Sequence, residues 1–190
     1  MKNKPCFVVL SLAATLAFPV AGLAAEFNAV EADKSTLVFS YKQMNVSMDG
    51  RFKKFAVQLS FDPAKGDSAK VSLDVDLASI NTGFPEGDDE VTGKQWFNTK
   101  AFPNAHFASS SVKSLGNDRF EVTGQLSIKG RTQMVTAPTK VTIQGSKATF
   151  DGVFVLKRAD FAIGEGPWAD FGTIANEIQV RFHILANNAK

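Results

Sequence analysis

Strict period-two alternation runs through most of this chain and limits what it can become. Leu37, Phe39 and Tyr41 alternate with Val38, Ser40 and Lys42. Phe55, Val57, Leu59 and Phe61 alternate with Lys54, Ala56, Gln58 and Ser60, and Val71, Leu73, Val75 and Leu77 with Ser72, Asp74 and Asp76. A segment of this kind is a strand with one dry face and one wet face. The pattern returns around Phe120 and Val122, Leu126 and Ile128, and over residues 135–143, 149–156 and 178–184. Turn residues punctuate the runs: Asp62-Pro63 with Gly66-Asp67, Gly116-Asn117-Asp118, and Gly145-Ser146. Residues 101–111 begin a further strand.

Two segments break the rule. Residues 85–100 are charged, do not alternate and end near Trp96-Phe97; residues 88–97 are expected to form a short helix, with Asp88-Asp89-Glu90 at its positive N-terminal end. Residues 160–173 hold Gly164, Gly166, Pro167 and Trp168 and are expected to be an irregular loop. About eight one-sided strands must pack or close on their dry face. Meandering strands with short turns favour an antiparallel eight-stranded barrel over a sandwich. The pattern alone does not say which face points inward, so an outer-membrane barrel is a rival. Against it stand the mixed-charge polar face, the polar helical insertion and an end in Asn187-Asn188-Ala189-Lys190 rather than an aromatic.

Residues 1–25 are read as a cleaved signal peptide, and 26–190 as the single domain. Lys2 and Lys4 precede an apolar stretch over 7–20, which gives way to the small residues Ala21-Gly22-Leu23-Ala24-Ala25. That stretch is shorter than the ~20 residues a spanning helix needs. The expected location is therefore the periplasm. The single cysteine, Cys6, lies in the leader, so the domain is expected to use no disulfide or thiol chemistry. The chain carries 21 basic and 19 acidic residues, and two of the basic ones are in the leader. The balanced remainder shows no basic stripe, so nucleic acid is not an expected partner.

Several short pieces, in order, resemble the YceI-like family. They are Gly50-Arg51-Phe52, Phe61-Asp62-Pro63, Ser79-Ile80-Asn81-Thr82-Gly83, Trp96-Phe97-Asn98, Phe102-Pro103-Asn104-Ala105-His106-Phe107-Ala108-Ser109, Gly124-Gln125-Leu126-Ser127-Ile128-Lys129-Gly130, and Leu156-Lys157-Arg158-Ala159-Asp160-Phe161-Ala162-Ile163-Gly164. The resemblance implies a periplasmic, lipocalin-like barrel that holds a polyisoprenoid or similar amphiphile. It also implies isoprenoid quinone as a candidate ligand and a membrane b-type cytochrome as a candidate partner. Many members carry an Arg-Asp pair and a His after the Ser-Ile-x-Thr-Gly stretch. This chain has Glu86-Gly87-Asp88-Asp89-Glu90-Val91 there, so no headgroup or metal role is carried over to those positions.

Of the 17 phenylalanines, only Phe7 and Phe18 lie in the leader. Phe39, Tyr41, Phe55, Phe107, Phe154 and Phe182 fall on inward phases and either line a ligand cavity or fill the barrel. Trp96, Phe97, Phe161 and Trp168 fall in the insertion and the late loop, where they either gate a barrel mouth or plug it. Arg158 offers a planar fork of donors for a phosphate or quinone oxygen, or else pairs on the surface with an acid such as Asp160.

Catalysis has little support. His106 and His183 are expected to face away from the cavity, and two isolated histidines make no ordinary zinc site. No serine has a G-x-S-x-G setting. Residues 87–94 are one residue too long for a phosphate loop, with Gln95 where Ser or Thr belongs. The expected protein is thus a non-enzymatic carrier of a long-chain apolar lipid, with no covalent cofactor, acting as a monomer or homodimer. The alternatives are an accessory protein with a filled barrel and an enzyme acting on a lipid or quinone.

Overall fold

The computed structural model describes residues 26–188. Its eleven strands form one antiparallel sheet: β1 Phe27–Val30, β2 Thr36–Gln43, β3 Val46–Phe52, β4 Phe55–Ser60, β5 Lys70–Asp76, β6 Ile80–Asn81, β7 Asn104–Gly116, β8 Arg119–Ile128, β9 Arg131–Gln144, β10 Lys147–Lys157 and β11 Glu177–Asn188. The sheet runs β4-β5-β7-β8-β9-β10-β11-β2-β3-β6, with β1 beside β11. It curls until its ends meet. Phe27 of β1 exchanges two backbone hydrogen bonds with Phe61 beyond β4, at 2.8 and 3.1 Å. At the other end β6, which follows β5, pairs with β3.

Eleven strands replace the expected eight because of phase slips and two weakly patterned segments. Phe52 and Phe55 both turn inward although three residues apart, so one continuous strand cannot carry both. The chain bends at Lys53-Lys54 and separates β3 from β4. Leu77 and Ile80 show the same three-residue slip, taken up by a 3-10 turn over Leu77–Ser79. The two corners are adjacent and tied. Lys53 N donates to Ser79 O at 3.1 Å, and Lys54 N donates to Ser79 Oγ at 3.0 Å. The four residues of β1 are too few to show a period, and on the inner phase of β3 the apolar Val46, Met48 and Phe52 are interrupted by Gly50.

The dry faces point inward. Phe39, Phe55, Phe107, Phe154 and Phe182 share the interior with Val180, Leu126 and Val75, whereas Asp74, Lys113 and Asp151 face out. That is the reverse of a barrel whose apolar face meets lipid. His106 and His183 also face out. Each sits opposite a cross-strand aspartate, with Nδ1 2.8 Å from Asp74 and 2.6 Å from Asp151 respectively. At one end Phe61 packs edge-on to Phe120 and Phe150, with ring centroids 5.4 and 5.2 Å apart, and Phe27 lies behind it. These rings are the floor of the barrel.

Glycines shape the wall. Gly50 lies opposite Phe39, and Gly152 opposite Phe182, in the strand register. A Cβ on Gly50 would stand 2.3 Å from Phe39 Cζ, one on Gly152 2.2 Å from Phe182 Cζ, and one on Gly124 2.6 Å from Phe107 Cζ. Each ring therefore lies over bare backbone of a neighbouring strand, which is how aromatic residues cover glycines in a curved sheet. Gly152→Ala is expected to cost about 1–3 kcal/mol through overpacking. The double variant Gly152→Ala/Phe182→Leu is expected to lose less than the sum of its parts, because the tightest part of the clash is with that ring, the rest being with Pro138 O at 2.8 Å. Urea unfolding of the four proteins measures this; full additivity would contradict it.

Candidate ligand-binding cavity

The barrel encloses a cavity of about 520 Å³, within the range of small-molecule sites. The barrel is therefore not filled by its own side chains, contrary to the filled-barrel alternative. Residues such as Val57, Leu73 and Phe154 point inward and remain only partly covered. Nearly all the lining is apolar, from the floor at Phe61, Phe120 and Phe150 up to Tyr41, Phe97 and Trp168.

Only three lining residues are exposed to solvent: Phe84, Glu86 and Glu90. All three belong to, or cap, helix α1, Pro85–Thr92. The cavity accordingly opens beside α1. The helix starts three residues earlier than expected from the sequence and stops at Thr92 rather than Phe97. Pro85 occupies the first turn, where its missing N–H costs nothing. After Gly93 the chain folds back, so that Trp96 dips into the core, 7% exposed. Asp88 moors the helix to the strand end: its Oδ1 accepts from Thr82 N at 2.5 Å and lies 2.8 Å from the Thr82 hydroxyl.

Of the eleven residues singled out from sequence, ten line the cavity: Phe39, Tyr41, Phe55, Trp96, Phe97, Phe107, Phe154, Arg158, Trp168 and Phe182. Phe161 does not. It is 1% exposed and packs within the core as part of a 3-10 turn over Arg158–Phe161, so it is no gate. Trp96 and Trp168 do stand together at the mouth end, with ring centroids 5.5 Å apart. Trp168 Nε1 donates to Glu90 Oε1 at 2.8 Å and latches the late loop to α1. Trp96 Nε1 is buried with no acceptor among the described residues.

Arg158 differs most from its sequence reading. It is 1% exposed, not a surface partner of Asp160. Its guanidinium has five N–H donors, and all five go to backbone carbonyls. Nε donates to Ala175 at 3.2 Å; Nη1 to Ile163 at 2.8 Å and Gly164 at 2.9 Å; Nη2 to Trp168 and Ile174, each at 2.8 Å. No donor is left for a ligand headgroup. Its flat faces meet the rings of Trp96 and Phe171, with centroids 5.6 and 5.1 Å from Cζ. Burial lowers its pKa, and the charge of Asp170 opposes that shift. Gly164, at φ +78°, brings its backbone so close that a Cβ would lie 2.2 Å from Nη1. Arg158 thus organises the loop that carries Trp168.

The sequence reading missed Phe84, Glu86 and Glu90 at the mouth and Phe61, Phe120 and Phe150 at the floor. The floor residues sit on inward phases and were findable by alternation. Glu86 and Glu90 are four apart on one helix face, a spacing that shows only once α1 begins at Pro85.

A YceI-like domain spans residues 29–186 of this chain. A UPF0312 protein of Pseudomonas putida strain F1 is 30% identical over 185 residues, covering 93% of this chain and 96% of its own length. One from Ectopseudomonas mendocina is 34% identical over 141 residues, covering 71% and 72%. Among solved structures, BcnA of Burkholderia cenocepacia superimposes with a TM-score of 0.81 at 42% identity, over 83% of this chain and 99% of its own. A polyisoprenoid binding domain from Saccharophagus degradans shares the fold, with a TM-score of 0.66 at 18% identity over 88% and 99%.

Lysine at position 158 has three donors on a flexible stem and cannot satisfy five divergent carbonyls. Arg158→Lys is expected to cost about 3 kcal/mol, since at least two buried carbonyls lose their partner. Denaturant unfolding checks this; an unchanged midpoint would contradict the role given to the guanidinium.

Proposed function

The chain belongs to the YceI-like domain family, and on that premise we propose that it is a periplasmic carrier or sequestering protein for a long-chain isoprenoid lipid, either a polyprenyl lipid or an isoprenoid quinone. The observation that carries this reading is the apolar cavity that runs from an aromatic floor to the exposed lining residues of α1. A tail enters there and lies along Phe39, Phe107, Phe154 and Phe182, with its polar end at the mouth. Each methylene withdrawn from water contributes about 0.8 kcal/mol, so a prenyl tail binds tightly with few hydrogen bonds. The polyisoprenoid-binding description of the S. degradans domain, which has the same fold, supports the choice of ligand. The leader-like residues 1–25 support the location; they lie outside the described residues.

Binding rather than catalysis also fits the lining. Its titratable groups are Tyr41, Glu86, Glu90 and Arg158. Arg158 is fully occupied by carbonyls, and Glu90 is held by Trp168. Burial, with the nearby charge of Asp88, raises the Tyr41 pKa, so its hydroxyl stays neutral.

Val57 lines the cavity and is only partly covered, so a larger side chain there fills the lumen without displacing its neighbours. A prenyl quinone titrated against the protein, followed by tryptophan fluorescence, is expected to bind Val57→Phe at least about tenfold more weakly than wild type, the cost of displacing two or so methylenes. The melting temperature should stay within a few degrees. Equal affinity would place the tail elsewhere.

A further inference from the structure

The cavity changes character at its opening, where the two polar lining residues exposed to solvent are both carboxylates, Glu86 and Glu90. No cation answers them inside. Arg158 is the only cation among the described lining residues, and its five donors are spent on backbone carbonyls. Its charge faces those carbonyl dipoles and Asp170, and the rings of Trp96 and Phe171 cover its flat sides.

The nearby lysines do not reverse the balance. Lys94 lies in a shallow outer depression with Glu86, Asp89 and Glu90, outnumbered three to one. Lys129 donates to Ala162 O at 2.6 Å and pairs with Glu165 at 2.9 Å. Asp88 adds a further negative charge under the helix, and that charge helps raise the Tyr41 pKa.

A long tail fills the barrel from the mouth inward, so its polar end comes to rest beside Glu86 and Glu90. A phosphate or diphosphate there meets two like charges and no free guanidinium, and Lys94, the lysine beside them, is shared among three carboxylates. An alcohol, a quinone carbonyl or an ester meets no such repulsion. We infer that the cavity selects isoprenoid ligands with an uncharged polar end and discriminates against the same tail bearing a phosphate. The inference rests on the carrier reading and narrows it to one ligand class.

The test compares a polyprenol with the polyprenyl monophosphate of equal chain length, each titrated against the full chain at low salt by tryptophan fluorescence. The polyprenol is expected to bind at least about tenfold more tightly, the size of two partly screened like-charge contacts. Raising the salt should narrow that ratio in the wild type. Glu86→Gln/Glu90→Gln should narrow it further, chiefly by tightening the binding of the monophosphate. Equal or tighter binding of the monophosphate, or a ratio untouched by both salt and the double substitution, would overturn the inference. Failure of both lipids to bind would overturn the carrier reading beneath it.

Discussion

Phe39 lies over Gly50, Phe182 over Gly152 and Phe107 over Gly124, and the open interior depends on these contacts. A phenylalanine on the inward phase of a small barrel would ordinarily occupy the lumen. Here the absent Cβ on the neighbouring strand lets the ring settle against backbone, so it becomes wall. The same rings give the cavity its apolar surface. The pattern accounts for a chain rich in phenylalanine that still encloses about 520 Å³ of free space. Glycine weakens a strand locally; cross-strand ring contact offsets part of that cost.

The floor and the mouth obey different physics. Phe61, Phe120 and Phe150 close one end by edge-on aromatic packing, with Phe27 tilted against Phe61, and such packing needs no polar partner. The other end is held by polar ties that leave a passage. Asp88 fixes α1 to Thr82, Trp168 latches the late loop to Glu90, and Arg158 gathers five carbonyls of the late segment. A buried guanidinium is costly unless all its donors are met. Removing any one carbonyl therefore disturbs the whole loop. The latch between Trp168 and Glu90 is a single exposed hydrogen bond.

Alternation revealed the inward faces of β2, β4, β5 and β7 to β11, and with them most of the cavity wall. It failed where the period slips. Phe52 to Phe55 and Leu77 to Ile80 break a two-residue repeat by one, and only the tertiary pairing of β3 with β6 shows that both bends belong to one corner. Arg158 was misread because five of its partners are backbone carbonyls, which leave no mark in side-chain sequence. Phe161 was misread because proximity in sequence to Arg158 and Trp168 does not fix which way a residue in a 3-10 turn points. The helix boundary shifted because Pro85 is a better first-turn residue than Asp88, and the carboxylates at the mouth became visible only with it.

The central claim is that the cavity holds a long isoprenoid tail. It is tested most directly by producing the full chain with its leader in a bacterium, purifying it from the periplasm without detergent, extracting it with organic solvent and analysing the extract by mass spectrometry against a mock purification. A prenyl lipid or isoprenoid quinone in near-equimolar amount is the expected result. An extract with no more prenyl lipid than the mock would contradict the claim.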